Sequence, residues 1–108
     1  MREACCGTAE LSPARMDVEF PESMTDETKA DFQVKEMAYS AELQERGIMK
    51  GIWRIVGEYS NISIYDVNDL DFLHATFQGF PMFAYMNVKV TPLAKHLNAI
   101  TDDFFRQL

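Results

Sequence analysis

Cysteine, histidine and positive charge are all scarce in this chain, and each shortage removes a class of function. The two cysteines, Cys5 and Cys6, are adjacent, and neighbouring cysteines rarely bridge each other, so no disulfide framework is expected. The two histidines, His74 and His96, stand far apart with no Cys or His at ligand spacing, which argues against a metal site. There is no glycine-rich phosphate loop and no GxSxG elbow. Cofactor-free chemistry, or no chemistry, is what these absences leave. A formal net charge of −7 repels phosphate backbones and anionic bilayers, which disfavours nucleic-acid and membrane partners. No apolar run approaches a membrane span, and the start, Met1 to Gly7, lacks the apolar stretch of a secretory signal. The expected location is the cytoplasm.

What remains is a globular composition. A chain of 108 residues fits one domain, and 47% hydrophobic with 12% aromatic residues is too apolar for disorder. So many large apolar groups on a small body suggest that another subunit covers some of them. Residues 1–13, with two cysteines and Pro13, read as a loose N-terminal extension, leaving 14–108 as the domain. From Ala14 to Phe20 the pattern alternates, with Met16, Val18 and Phe20 on one face and Arg15, Asp17 and Glu19 on the other. That is a half-buried strand ended by Pro21.

Thr25 is placed to cap a helix running to about Arg46, with Asp26 and Glu27 in the first turn and Gly47 as its stop. The helix carries two apolar stripes. One is Ala30, Val34, Met37, Ala38 and Ala41, whose small side chains suit close packing on a sheet. The other is Phe32, Tyr39 and Leu43, and the gap in that second row is filled by Glu36. A carboxylate in an aromatic and aliphatic row is the oddest local feature of the sequence.

Ile48 to Val56 and Asn61 to Val67 read as the strands of a hairpin joined by Gly57 to Ser60. Asn68 is expected to cap a second helix with Leu70, Leu73, Phe77 and Phe80 on one face. Phe83 to Val90 alternates as a fourth strand, and Thr101 is placed to cap a last short helix holding Phe104 and Phe105. The order is β-α-β-β-α-β plus a tail. With helices on one face of an antiparallel sheet, the fold class is α+β and ferredoxin-like. The other sheet face needs cover, for which the C-terminal tail and a neighbouring subunit are the candidates.

At the hairpin the string GIWRIVGEYSNISIYDV resembles the signature of the muconolactone delta-isomerase family. The likeness continues through LHATFQGFPMFAYMNVKV and His96 to Ile100, and upstream through RMDVEFPESM, so it covers Arg15 to Ile100. Glu58 departs from it, standing where the resemblance implies a basic residue. The resemblance implies a cofactor-free enzyme that converts muconolactone to the 3-oxoadipate enol-lactone in catechol degradation (the beta-ketoadipate pathway). It also implies a ring-like homo-oligomer, built from dimers and extending to a decamer.

Moving the double bond of such a lactone requires a base with a raised pKa, which burial among apolar groups supplies. Glu36 is the candidate base on two grounds, its place in the apolar stripe and its alignment with the family's acidic residue. The substrate carboxylate and the developing dienolate need cations and donors. Arg15, aligned with a basic residue of the family's first strand, is the first candidate for anion binding. Arg54, Tyr59 and Asn61 are candidate donors from the hairpin motif, and Trp53 is a candidate pocket wall. Simpler roles stand beside these: Glu36 paired with Lys29 or Lys35, Arg15 on an exposed strand face, Arg54 paired with Asp66 or Glu58, and Tyr59 and Asn61 as turn residues. Two other functions fit the same scaffold: elimination of halide from a chlorinated muconolactone, and a non-catalytic small-molecule-binding or assembly role.

Overall fold

The chain forms a four-stranded antiparallel sheet with two helices on one face, in a computed structural model that describes residues 10–101. Strand β1 (Glu10–Val18) leads to helix α1 (Asp26–Glu45) and to the hairpin β2 (Met49–Arg54) and β3 (Ser60–Val67). Helix α2 (Leu70–Gln78), a 3-10 turn at Phe83–Tyr85 and β4 (Met86–Val90) complete it. The strand order is β2-β3-β1-β4, the ferredoxin-like order in which each βαβ unit is split by an intervening strand. Cys5, Cys6 and the expected C-terminal helix with Phe104 and Phe105 lie outside the described residues.

Strand β1 begins at Glu10, not at Ala14, so Pro13 lies inside it and residues 10–13 belong to the sheet. The ladder tolerates this proline because its carbonyl accepts from Thr91 N, putting its missing N–H on the β4 side, beyond Val90, where β4 ends. The pairing with β3 is unbroken from Glu10↔Val67 to Asp17↔Ser60.

Helix α1 starts as expected, with the Thr25 hydroxyl accepting from Thr28 N, and ends at Gly47, whose φ of 75° suits a residue without Cβ. Its orientation is the reverse of the expected one. The small-residue stripe faces outward, with Val34 68% and Met37 72% exposed, while Phe32, Tyr39 and Leu43 face the sheet. Phe32 and Tyr39 find ring partners on the sheet side, Phe20 and Tyr85 for one and Phe80 for the other, which the small stripe has no rings to meet, so the aromatic stripe wins. Phe32 meets Phe20 and Tyr85 in a three-ring cluster, Tyr39 packs edge-on against Phe80, and Leu43 joins the core with Met16, Met49, Tyr65 and Phe77. Glu36 therefore points toward the sheet.

Helix α2 is capped by Asp69, whose side chain accepts from Asp71 N, one residue later than the expected cap at Asn68. Leu73, Phe77 and Phe80 are buried as expected, but Leu70 is 55% exposed. The start of the fourth strand is replaced by the 3-10 turn, which Pro81 introduces by interrupting the backbone pattern. No helix among the described residues is long and apolar enough to cross a membrane.

The two helices meet where Tyr39 Oη donates to the Thr76 carbonyl at 2.7 Å, directly over Gly79. A Cβ on Gly79 would lie 2.3 Å from that hydroxyl oxygen, so the ring and a methyl group cannot coexist there. Gly79→Ala is expected to lower stability by about 1–3 kcal/mol, as overpacking does. Urea unfolding measures this, and Tyr39→Phe, which only deletes the hydroxyl bond, is expected to cost about 1 kcal/mol.

Candidate active site

The register of the sheet divides the candidate residues into two groups. Met16, Asn61 and Arg54 lie in one row across β1, β3 and β2, on the face the helices cover. Arg15, Ile62 and Trp53 form the adjacent row, which points to the face away from the helices. Arg54 and Asn61 are therefore on the same side as Glu36, and Arg15 and Trp53 are on the other.

Between α1 and the sheet lies a cavity of about 520 Å³, within the size range of small-molecule sites. Glu36, Arg54, Tyr59 and Asn61 all line it, together with Val18, Gln33, Ser40, Ile52 and Met82. Glu36 Oε1 accepts from the backbone N–H of Met82 at 3.1 Å, a contact that links α1 to the turn after Pro81. Burial pushes the Glu36 carboxyl above its ordinary value, and the Met82 bond pulls partly against that shift. Among the described residues no lysine pairs with it, and Lys35 instead pairs with Asp31 at 3.0 Å. Arg54 lies 5.8 Å from the centre of the Tyr59 ring, within cation–π range, while Asp66 pairs with Lys50 and Glu58 with Arg15. Arg54 is thus the cation of the lining, at the hairpin end. Asn61 Oδ1 is buried without a partner among the described residues, which leaves hydrogen-bonding capacity inside the cavity.

Arg15 and Trp53 do not join this site. The Arg15 guanidinium is held on the face away from the helices by Asp17 at 3.0 Å and Glu58 at 2.6 Å. Arg15, and after it the Ser60 hydroxyl, hold the Asp17 carboxyl below its usual range. Strand alternation decides this, since its neighbours Ala14 and Met16 take the core side. The Trp53 ring lies over Gly51, the space above that residue being free of a side chain. Glu58, the departure from the family pattern, faces away with Arg15 and so puts no negative charge beside Glu36.

Sequence reasoning missed Gln33, Ser40 and the Met82 N–H. Gln33 had a signal, since it sits one turn before Glu36 on the same helix face. The Met82 donor is backbone, and no side-chain pattern announces it.

A second cavity, of about 480 Å³, lies between α2 and β4. Leu73, Phe77, Phe83 and Val88 line it and His74 is its titratable group, so it lacks the carboxylate and cation of the first. His96 is engaged locally, its Nδ1 accepting from Asn98 N. Among the described residues no cluster of three His, Cys, Asp or Glu could hold a metal ion.

The family model for muconolactone delta-isomerase matches residues 13–99, most of the chain. The chain belongs to the muconolactone delta-isomerase family. It is 46% identical to Muconolactone Delta-isomerase 1 of Acinetobacter lwoffii, over 86% of this chain and 97% of that protein. It is 49% identical to the Muconolactone Delta-isomerase of Rhodococcus opacus, over 80% of this chain and 92% of that one. A crystal structure of muconolactone isomerase superposes with a TM-score of 0.79 at 32% identity, covering 86% of this chain and 97% of that chain. The split βαβ sheet described above is therefore the fold of the muconolactone isomerases, and the Glu36 cavity lies within the part of the chain they share.

The raised pKa of Glu36 makes a prediction about stability. An acid whose folded-state pKa exceeds its unfolded value of about 4.3 binds protons more tightly when folded, so its ionisation destabilises the fold as pH rises through that window. Glu36→Gln removes this penalty. Urea titrations are expected to show the variant at least as stable as wild type at pH 7, with the gain vanishing at pH values below about 4. A variant clearly weaker at pH 7 than at pH 4, relative to wild type, would contradict the assignment.

Proposed function

We propose that this chain is a cytoplasmic isomerase that converts muconolactone to the 3-oxoadipate enol-lactone in catechol degradation, with Glu36 as the proton-transferring base. The observation that carries the reading is the half-buried Glu36 carboxylate, held by the Met82 N–H in a cavity that also contains Arg54, Tyr59 and Asn61. The names of the relatives point the same way, and the dehalogenase and non-catalytic alternatives gain nothing from them.

In this scheme the Met82 N–H fixes Oε1 and leaves Oε2 to face the substrate. Oε2 takes the proton from the γ carbon of the lactone ring. The electron pair of that C–H bond moves into the ring, and the α,β double bond shifts its electrons onto the carbonyl as a dienolate. The same carboxyl then returns the proton to the α carbon, leaving the double bond between β and γ. No atom is gained or lost. Arg54 binds the free carboxylate of the substrate, and Tyr59 and Asn61 supply hydrogen bonds to its oxygens as charge develops. Loss of solvent around Glu36 brings its pKa nearer to the working pH, which improves proton transfer in both directions.

Assembly belongs to the same proposal. The outward stripe of α1, with Val34 and Met37, and the part of the sheet face away from the helices where Trp53 is 49% and Ile62 39% exposed, are the surfaces a homo-oligomer would cover.

Absorbance of the lactone in the ultraviolet follows turnover. Wild type is expected to convert muconolactone, and Glu36→Gln to lose about 10²- to 10⁴-fold in kcat, the usual contribution of a general base. Arg54→Met is expected to raise KM at least about tenfold, as loss of a charge-assisted bond does, whereas Arg15→Ala leaves it within about twofold. An inert wild type that is folded would overturn the substrate assignment. An active Glu36→Gln would overturn the base.

A further inference from the structure

The phenol of Tyr59 has one proton and two lone pairs, and its action in the cavity depends on which neighbour occupies which. Gln33 Nε2 donates to Tyr59 Oη at 2.9 Å, from one turn before Glu36 on α1. An amide nitrogen has no acceptor capacity, so this bond occupies a lone pair and leaves the phenol proton unclaimed. Among the described residues no acceptor takes that proton. The Arg54 guanidinium lies against the ring face, so the ring has its own support and the bond from Gln33 acts on the hydroxyl. Both Gln33 and Tyr59 line the cavity of Glu36.

We propose that Gln33 is a positioning residue that, by donating to Tyr59 Oη, turns the phenol proton into the cavity to meet an anionic oxygen of the bound lactone acid. The identity of that ligand rests on the isomerase reading, but the direction of the Tyr59 proton does not. Two oxygens of such a ligand could receive it, the ring carbonyl as it becomes a dienolate and the free carboxylate.

The test is Gln33→Glu, close in shape and at an exposed position, so the fold is expected to tolerate it. A carboxylate there accepts the phenol proton and draws it out of the cavity. We expect kcat/KM for muconolactone to fall about tenfold or more, the scale of one lost hydrogen bond to a charged group. Gln33→Lys, which restores a donor, is expected to stay within about threefold of wild type. In a Tyr59→Phe background Gln33→Glu is expected to cost nothing further, because its effect runs through the hydroxyl. A loss in kcat assigns the proton to the dienolate oxygen, and a loss confined to KM assigns it to the carboxylate.

Calorimetric binding of the saturated lactone acid, which cannot isomerise, supplies a readout independent of turnover. Weaker binding in Gln33→Glu but not in the Tyr59→Phe background, with a wild type inert toward muconolactone, would sink the isomerase reading and support this one. An active wild type with Gln33→Glu equal to it in kcat, KM and binding would do the reverse. A loss that persists undiminished in the Tyr59→Phe background would also overturn the proposal, because it would act through charge and not through the phenol. A wild type that neither binds nor converts these lactones would overturn both.

Discussion

The hydrogen bond from Met82 N–H to the Glu36 carboxylate is the contact on which the arrangement of the cavity depends. A carboxylate turned toward a sheet loses hydration, and without a donor that loss would drive the helix to rotate it outward. Phe32 and Tyr39, one turn to either side, prevent that rotation because each is committed to its own ring contacts. The carboxylate is thereby kept where burial raises its pKa, with one oxygen satisfied and the other available. The same backbone donor ties α1 to the turn after α2, so helix packing and site geometry are one constraint.

The hairpin supplies the rest. Alternation along β2 and β3 sends Ile52, Arg54 and Asn61 to the helix side, while Trp53 and Ile62 go to the other. Tyr59, in the turn before β3, lines the cavity and is bridged to α1 by Gln33. The positive charge at this end and the negative charge on α1 are thus held by different elements. That separation suits a ligand carrying a carboxylate at one end and an acidic C–H at the other.

Much of this was legible in the sequence, and the failures have physical causes. The element order, the Thr25 cap and the Gly47 stop followed from local chemistry that the fold respects. Glu36 was visible as a charge interrupting an apolar row. Which stripe of α1 meets the sheet was not, because spacing reveals stripes and only the partners across the interface choose between them. Arg15 was drawn toward the site by likeness to a family residue, yet the alternation that put Met16 inside already put Arg15 outside. Pro13 looked like a boundary, and only the register shows that its missing N–H falls past the end of β4. The family resemblance held over residues 13–99 because it rested on several segments in register, not on one motif.

Glu36 is assigned both proton steps: one carboxyl removes the proton from the lactone and returns the same proton to it. The most direct measurement follows muconolactone deuterated at the γ carbon through a single turnover in ordinary water, with the product read by NMR. A carboxyl that keeps the proton between the two steps leaves a measurable fraction of the deuterium at the α carbon of the enol-lactone. Complete loss of the label to solvent during a productive turnover would contradict it, because the proton returned would then come from water and not from the lactone.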